Sequence, residues 1–265
     1  MKGSTMPKFA ANLSMLFTEF DFLDRFEIAA DAGFQGVEYL FPYANTPEEI
    51  KQRLDNFNLK QVLFNLPAGN WEVGDRGIAV DPTRTDEFRL GVPQAIAYAK
   101  ALGCNQVNCL AGIVPAGVSQ EQAIETFVAN LRFAASELEK AGISLVIEAI
   151  NTRDIPGFYL TNTSQALDII EQVGSKNLRF QYDIYHMQIM EGDLAPTLSQ
   201  HIEHIQHIQL ADNPGRHEPG TGEINYPFIL QHLDNIGYQG WVGCEYKPKT
   251  TTLAGIGWLK AFNQI

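Results

Sequence analysis

Residues Ser144–Ile150 read SLVIEAI, a run of mostly branched apolar side chains with a single carboxylate, Glu148, set near its end. Such a short apolar run, preceded by the amphipathic stretch Ala123–Lys140, reads as a buried strand. In Ala123–Lys140 the residues Phe127, Leu131, Ala134, Ala135 and Leu138 recur three or four apart with charge opposite, the mark of a helix lying on a core. The same alternation extends outward in both directions. Seven further strand candidates are Lys8–Leu13, Gly36–Leu40, Lys60–Asn65, Gln106–Leu110, Leu178–Asp183, Ile205–Leu210 and Trp241–Glu245, each followed by a segment of helical period. Eight βα units in series, with no Gly-rich phosphate fingerprint after the first, predict an α/β fold closed as a (β/α)8 TIM barrel rather than an open doubly wound sheet. A length of 265 residues suits one such barrel. Met1–Thr5 precede a second methionine and show no period, so they are set apart as an appended or frayed start, which leaves 6–265 as a single barrel domain.

Composition narrows the function. Hydrophobic residues make up 45% and charged residues 19%, a balance that buries a large core. No window approaches an apolar membrane span, and the N-terminus lacks a basic segment leading into a secretory core, so a cytoplasmic protein with no membrane partner is expected. Cys104, Cys109 and Cys244 form no CxxC pair and predict neither a disulfide framework nor a zinc ribbon. A net charge of −12 opposes the phosphate backbone, so nucleic acid is not an expected partner. A homo-oligomer is compatible with the composition but not indicated by it.

Three loops, Pro67–Arg84, Asn151–Thr163 and Asp212–Tyr226, follow strands and are therefore expected at the C-terminal face of the barrel, where active sites lie. Polar groups end four strands in succession: Glu148, Asp183, Gln209 and Glu245. Any one of these carboxylates reads as a salt bridge or helix cap. Together they would repel one another in a shared mouth unless a cation or shared protons neutralised them. Their oxygens, with the amide oxygen of Gln209, make a hard ligand set suited to Mg²⁺ or Mn²⁺ rather than to zinc, and no organic cofactor is implied. His186, three residues after Asp183, is placed to hydrogen-bond a substrate oxygen; its structural alternative is a capping histidine. Arg216 and Lys247 are the cations nearest the mouth and candidates to clamp a substrate carboxylate, Arg216 with the better bidentate geometry. His201, His204 and His207 are spaced three apart but run from a helix end into a strand, which scatters them over different faces. Glu38, in GVEYLFP, also ends a strand, yet nothing in sequence order pairs it with the cluster, so it reads as structural.

The segments ANLSMLF, GVEYLFPY, NLPAGNW, EAINTRDIPGF, QYDIYHMQIMEG, ADNPGRHEPGTGEINY and GWVGCEYKP span about Asn12–Pro248 and resemble the xylose-isomerase-like barrel superfamily and, within it, the hydroxypyruvate isomerase family. The resemblance implies that Glu148 and Glu245 are paired acid/base glutamates that also touch a metal, that Asp183 and Gln209 are the remaining metal positions, and that His186 and Arg216 bind substrate. Sugar epimerases of the superfamily usually carry histidine where Gln209 stands, and an amide oxygen is the weaker ligand, so a loosely held cation is expected. The implied substrate is a small hydroxy-carbonyl acid: 3-hydroxypyruvate converted to 2-hydroxy-3-oxopropanoate through an enediolate. A four-carbon acid, 2-oxo-tetronate, is the alternative within the family, and an inosose-type dehydratase is the alternative from another class.

Overall fold

The computed structural model describes residues 7–262; the Met1–Thr5 segment lies outside them. Eight strands are present: β1 Lys8–Asn12, β2 Gly36–Glu38, β3 Lys60–Leu63, β4 Gln106–Cys109, β5 Ser144–Glu148, β6 Leu178–Asp183, β7 Ile205–Leu210 and β8 Trp241–Cys244. Each begins where its apolar run begins, and six end one or two residues earlier than their runs because the chain turns out there into the loops of the mouth. All pairings are parallel in the order β3-β2-β1-β8-β7-β6-β5-β4. The remaining seam between β3 and β4 is stitched past the strand ends, where Asn108 N–H donates to the Phe64 carbonyl at 2.9 Å and Leu66 N–H to the Asn108 carbonyl at 2.8 Å. The result is a nearly closed (β/α)8 barrel.

The helices pack around it: α1 Arg25–Asp31, α2 Pro47–Asn56, α3 Thr85–Leu102, α4 Gln120–Lys140, α5 Thr163–Val173, α6 Ile184–Met190, α7 Leu194–His201, α8 Tyr226–Asn235 and the single turn α9 Thr252–Gly255. Local chemistry sets their ends. Thr46 with Glu49, and Ser119 with Gln122, form reciprocal capping boxes at the starts of α2 and α4. Gly103 and Gly174 close α3 and α5 in the left-handed conformation. In α4 the stripe Phe127, Leu131, Ala134, Ala135 and Leu138 is buried, as its period requires.

The apolar core divides in two. The large cluster lies between strands and helices, whereas a small one inside the barrel comprises Ala10, Val62, Leu63 and Val146, with Trp241 packed against it. A Cβ at Gly36 would meet the Trp241 ring at 2.7 Å, so the glycine leaves room for this plug. Further along, the interior of five strands is polar, inward side chains recurring at every second residue. Ala10 gives way to Asn12, Gly36 to Glu38, Val146 to Glu148, Gln181 to Asp183 and His207 to Gln209, and these polar residues are buried.

The loop after β7 is built on Asp212. Its carboxylate accepts N–H groups from Asn213 at 3.0 Å, Gly220 at 2.8 Å, Gly222 at 2.9 Å and Ile224 at 3.1 Å. This folds the loop over the mouth and holds Arg216 there at a positive φ of 57°. Replacing Asp212 with Ala leaves those donors without their charged acceptor, and we expect a fall in Tm of roughly 4–10 °C. Differential scanning calorimetry measures it; an unchanged Tm would show that the loop does not depend on this carboxylate.

Candidate active site

The strand ends converge as their succession suggested. Glu148, Asp183, His186 and Glu245 are all buried at the C-terminal mouth. Asp183 Oδ1 caps α6, accepting from Tyr185 N–H at 2.8 Å and His186 N–H at 3.3 Å. That cap is why His186 follows three residues later at a fixed place. Asp183 Oδ2 has no hydrogen-bond partner and faces His186 Nε2 at 3.7 Å and Arg216 NH2 at 4.0 Å. Arg216 NH2 donates to Glu245 Oε1 at 2.7 Å, and its guanidinium lies 5.2 Å from the centre of the Tyr185 ring. Glu148 Oε1 stands 3.8 Å from His186 Nε2, and its Oε2 accepts from Asn108 at 3.2 Å.

The structure distributes the four expected metal-ligating residues differently from the sequence pattern. Glu148, Asp183 and His186 each offer a ligand atom within 4.8 Å of the others, a group capable of holding a metal ion. Glu245 is instead engaged by Arg216. Gln209 turns its amide nitrogen toward Glu245 Oε2 at 2.6 Å, while its oxygen accepts from Gln181 at 2.6 Å. Within the triad the carboxylates suit a hard cation, and the partnerless Asp183 Oδ2 is a donor atom without a donor. His186 is directed otherwise. Asn151 Oδ1 accepts from the Arg153 and Asp154 N–H groups at 3.0 and 2.8 Å, which aims the Asn151 amide nitrogen at His186 Nδ1, 2.6 Å away. The ring proton therefore belongs on Nε2, which makes His186 a hydrogen-bond donor into the mouth.

Electrostatics follow from this burial. Glu148 is raised well above the ordinary carboxylate range by desolvation first, then by the charges of Glu245 and Asp183. Desolvation also pushes Glu245 up to about 8, against the pull of Arg216, and Asp183 up to about 6. His186 is held well below its usual value by burial and by Arg216, so its imidazole is neutral. The three cysteines are free and buried, and burial raises each thiol, which removes them as nucleophiles at neutral pH.

Lys247 does not join the cluster. Its N–H holds the Arg216 carbonyl at 2.8 Å, while the residue lines a groove with Ser14, Thr18, Glu19 and Leu40. Two residues set aside in the sequence prove central. Glu38 is fully buried and binds Asn12 and Gln209, both of which also bind Glu245, and His207 donates to Glu38 at 2.7 Å. Their positions on the inward face, two residues before a loop or beside another inward polar residue, were the available signal. His201 and His204 lie apart, at a helix end and on the surface, so no histidine box forms.

A parallel eightfold barrel with paired carboxylates gathered at its C-terminal mouth defines a small-molecule enzyme of the TIM-barrel class. The model of the xylose isomerase-like TIM barrel family matches residues 26–262, and the chain belongs to that family. It is 57% identical to hydroxypyruvate isomerase of Escherichia coli, over 97% of this chain and 100% of that one. It is 46% identical to 2-oxo-tetronate isomerase of Cupriavidus necator, over 97% and 99% of the respective chains. A crystal structure titled AP endonuclease, family 2, from Brucella melitensis superposes with a TM-score of 0.95 at 44% identity, covering 97% of this chain and 99% of that one. The chain is an isomerase.

The raised Glu148 links the site to stability. In the folded chain its pKa lies well above the unfolded value of about 4.3. The folded state therefore binds more protons in between, and stability that is complete below about pH 4.3 is lost as pH rises through the folded value. Glu148→Gln removes this loss. In chelator, we expect the variant and parent to melt together near pH 4.5 and the variant to gain progressively toward pH 8. A Tm difference that stays flat across that range would contradict the assignment.

Proposed function

We propose that the enzyme isomerises a small 2-oxo-3-hydroxy acid by passing a proton between C3 and C2 through an enediolate, with 3-hydroxypyruvate as substrate and 2-hydroxy-3-oxopropanoate as product. The observation that carries this reading is the pair of buried glutamates on one mouth, Glu148 raised well above its ordinary range and Glu245 raised to about 8, with Arg216 and His186 beside them. Such a pair retains a proton at neutral pH, so one member is a base while the other is an acid. The base takes the C3 proton, and the C–H pair forms a C2–C3 double bond as the C2=O π pair moves onto its oxygen. The hydroxyl proton passes from the C3 oxygen to the C2 oxygen, and the acid protonates C2 as the C3 oxygen closes to the aldehyde. The acid and base exchange forms in each turnover, and no atom is gained or lost.

The other residues divide the remaining work. Arg216 meets the substrate carboxylate, for which its Nε–H, buried and without a partner, is available. His186 donates Nε2–H to a substrate oxygen, and its neutrality keeps that donor from competing with Arg216 for the anion. Glu148 and Asp183 would hold a Mg²⁺ or Mn²⁺ ion, which when bound supplies positive charge to the enediolate oxygens. The 46% identity to a 2-oxo-tetronate isomerase makes the four-carbon acid the second candidate.

Proton NMR of the purified enzyme in deuterated water with each acid tests the reading. We expect an aldehyde product from hydroxypyruvate carrying deuterium at C2, and turnover at least about 10³-fold lower in folded Glu148→Gln and Glu245→Gln proteins. Loss of water from the substrate, or near-parental turnover by either variant, would sink it. Arg216→Ala should raise KM by a factor equivalent to about 1.5–3 kcal/mol; an unchanged KM alongside a raised one in Lys247→Ala would move the clamp to Lys247.

A further inference from the structure

We propose that Glu38, anchored by His207, is a positioning residue that fixes the hydrogen-bond polarity around Glu245, so that Asn12 and Gln209 present N–H to Glu245 Oε2 and only Oε1 is left to work on substrate. The proposal rests on the reading of Glu245 as an acid/base residue.

The polarity follows from bonds whose direction is forced. Asn12 Oδ1 accepts from the Ser14 N–H at 3.1 Å, and a backbone N–H can only donate, so the Asn12 amide nitrogen faces the carboxylates. It reaches Glu38 Oε1 at 3.0 Å and Glu245 Oε2 at 2.9 Å, one hydrogen for each. Gln209 repeats the pattern at 2.7 Å and 2.6 Å, its own oxygen taken by Gln181. Four atoms thus form a closed square in which two amides bridge two carboxylates. Both carboxylates are needed to use both hydrogens of each amide.

Beneath the square, Gln106 accepts from Gln206 at 3.1 Å and turns its own nitrogen to His207 Nδ1 at 3.3 Å. The ring proton then lies on Nε2 and is donated to Glu38 Oε2 at 2.7 Å. With Oε2 held from below, Glu38 Oε1 is the oxygen offered to the square. A second observation shows that the barrel is shaped around this carboxylate: a Cβ at Gly243, on β8 on the far side of β1, would lie 2.3 and 2.4 Å from the two Glu38 oxygens. Alanine there could not coexist with Glu38 as placed. The strand gives up a side chain where Glu38 needs the space.

The consequence for Glu245 is a division of labour between its oxygens. Oε2 accepts two neutral N–H groups and is turned inward, whereas Oε1 meets only Arg216, the residue that meets substrate. A carboxylate so pinned keeps its proton-transferring oxygen in one place.

Kinetics on hydroxypyruvate and side-chain amide signals in a proton–nitrogen correlation spectrum test this together. Glu38→Gln should lower kcat about 10- to 100-fold with little change in KM, as loss of a supporting partner does. Because Glu38 acts through Gln209 as well as Asn12, the losses in Glu38→Gln and Gln209→Leu should be less than additive in the double variant. The NH2 signals of Asn12 and Gln209 in the ligand-free protein should move in Glu38→Gln. Where that variant fails to fold, His207→Leu should lower kcat in the same way, and His207→Gln, which keeps a donor, should restore most of it. Unchanged kcat in folded Glu38→Gln, additive losses in the double variant, or amide signals that stay put would each overturn the proposal. If the parent turns over neither acid, the functional reading fails, and the amide signals alone still decide the hydrogen-bond claim.

Discussion

Four carboxylates, Glu38, Glu148, Asp183 and Glu245, are buried together at one end of one barrel, and their mutual repulsion governs the surrounding structure. Taking each from water costs several kcal/mol unless donors replace the lost hydration. The donors are recognisable. Arg216 arrives on a loop that Asp212 folds over the mouth; Asn12, Asn108 and Gln209 supply amides from the wall; His207 supplies an imidazole from below. Asp183 Oδ2 is left without one. Electrostatics thus explains why the strand interior changes from Ala10 and Val146 to Asn12 and Glu148 within two residues.

This division has an energetic counterpart. The shell between strands and helices carries the apolar burial, with Phe26, Leu131, Phe180 and Leu230 fully enclosed in it. The barrel interior contributes little apolar area beyond a small plug, because its upper half is given to chemistry. Stability and function are therefore written on opposite faces of the same strands, in alternate residues.

Much of this was legible in the chain. The starts of all eight strands are visible because an apolar run between amphipathic segments has few other readings, and Glu148, Asp183 and Glu245 are conspicuous because charge at the end of such a run demands a partner. Glu38 and His207 were not legible as partners. They are 169 residues apart, and only closure of the barrel brings them to 2.7 Å. Gln209 shows a different limit: its place at a strand end is visible in the sequence, but whether it presents oxygen or nitrogen depends on Gln181, Glu38 and Glu245 elsewhere around the barrel. Lys247 shows a related limit. Its nearness to Glu245 in sequence is visible, but the bond from its backbone N–H to the Arg216 carbonyl is not.

The absent side chain at Gly243 has a further consequence for where a larger ligand can be held. The space below Glu245 is already filled by the Glu38 carboxylate, and the plug capped by Trp241 lies beneath that. Room for a larger ligand therefore lies at the rim, among the segments 67–84, 151–163 and 212–226, which are outside the strands. Glu38, Glu148 and Asp183 end strands themselves, so a change in those loops leaves the barrel wall that carries them in place.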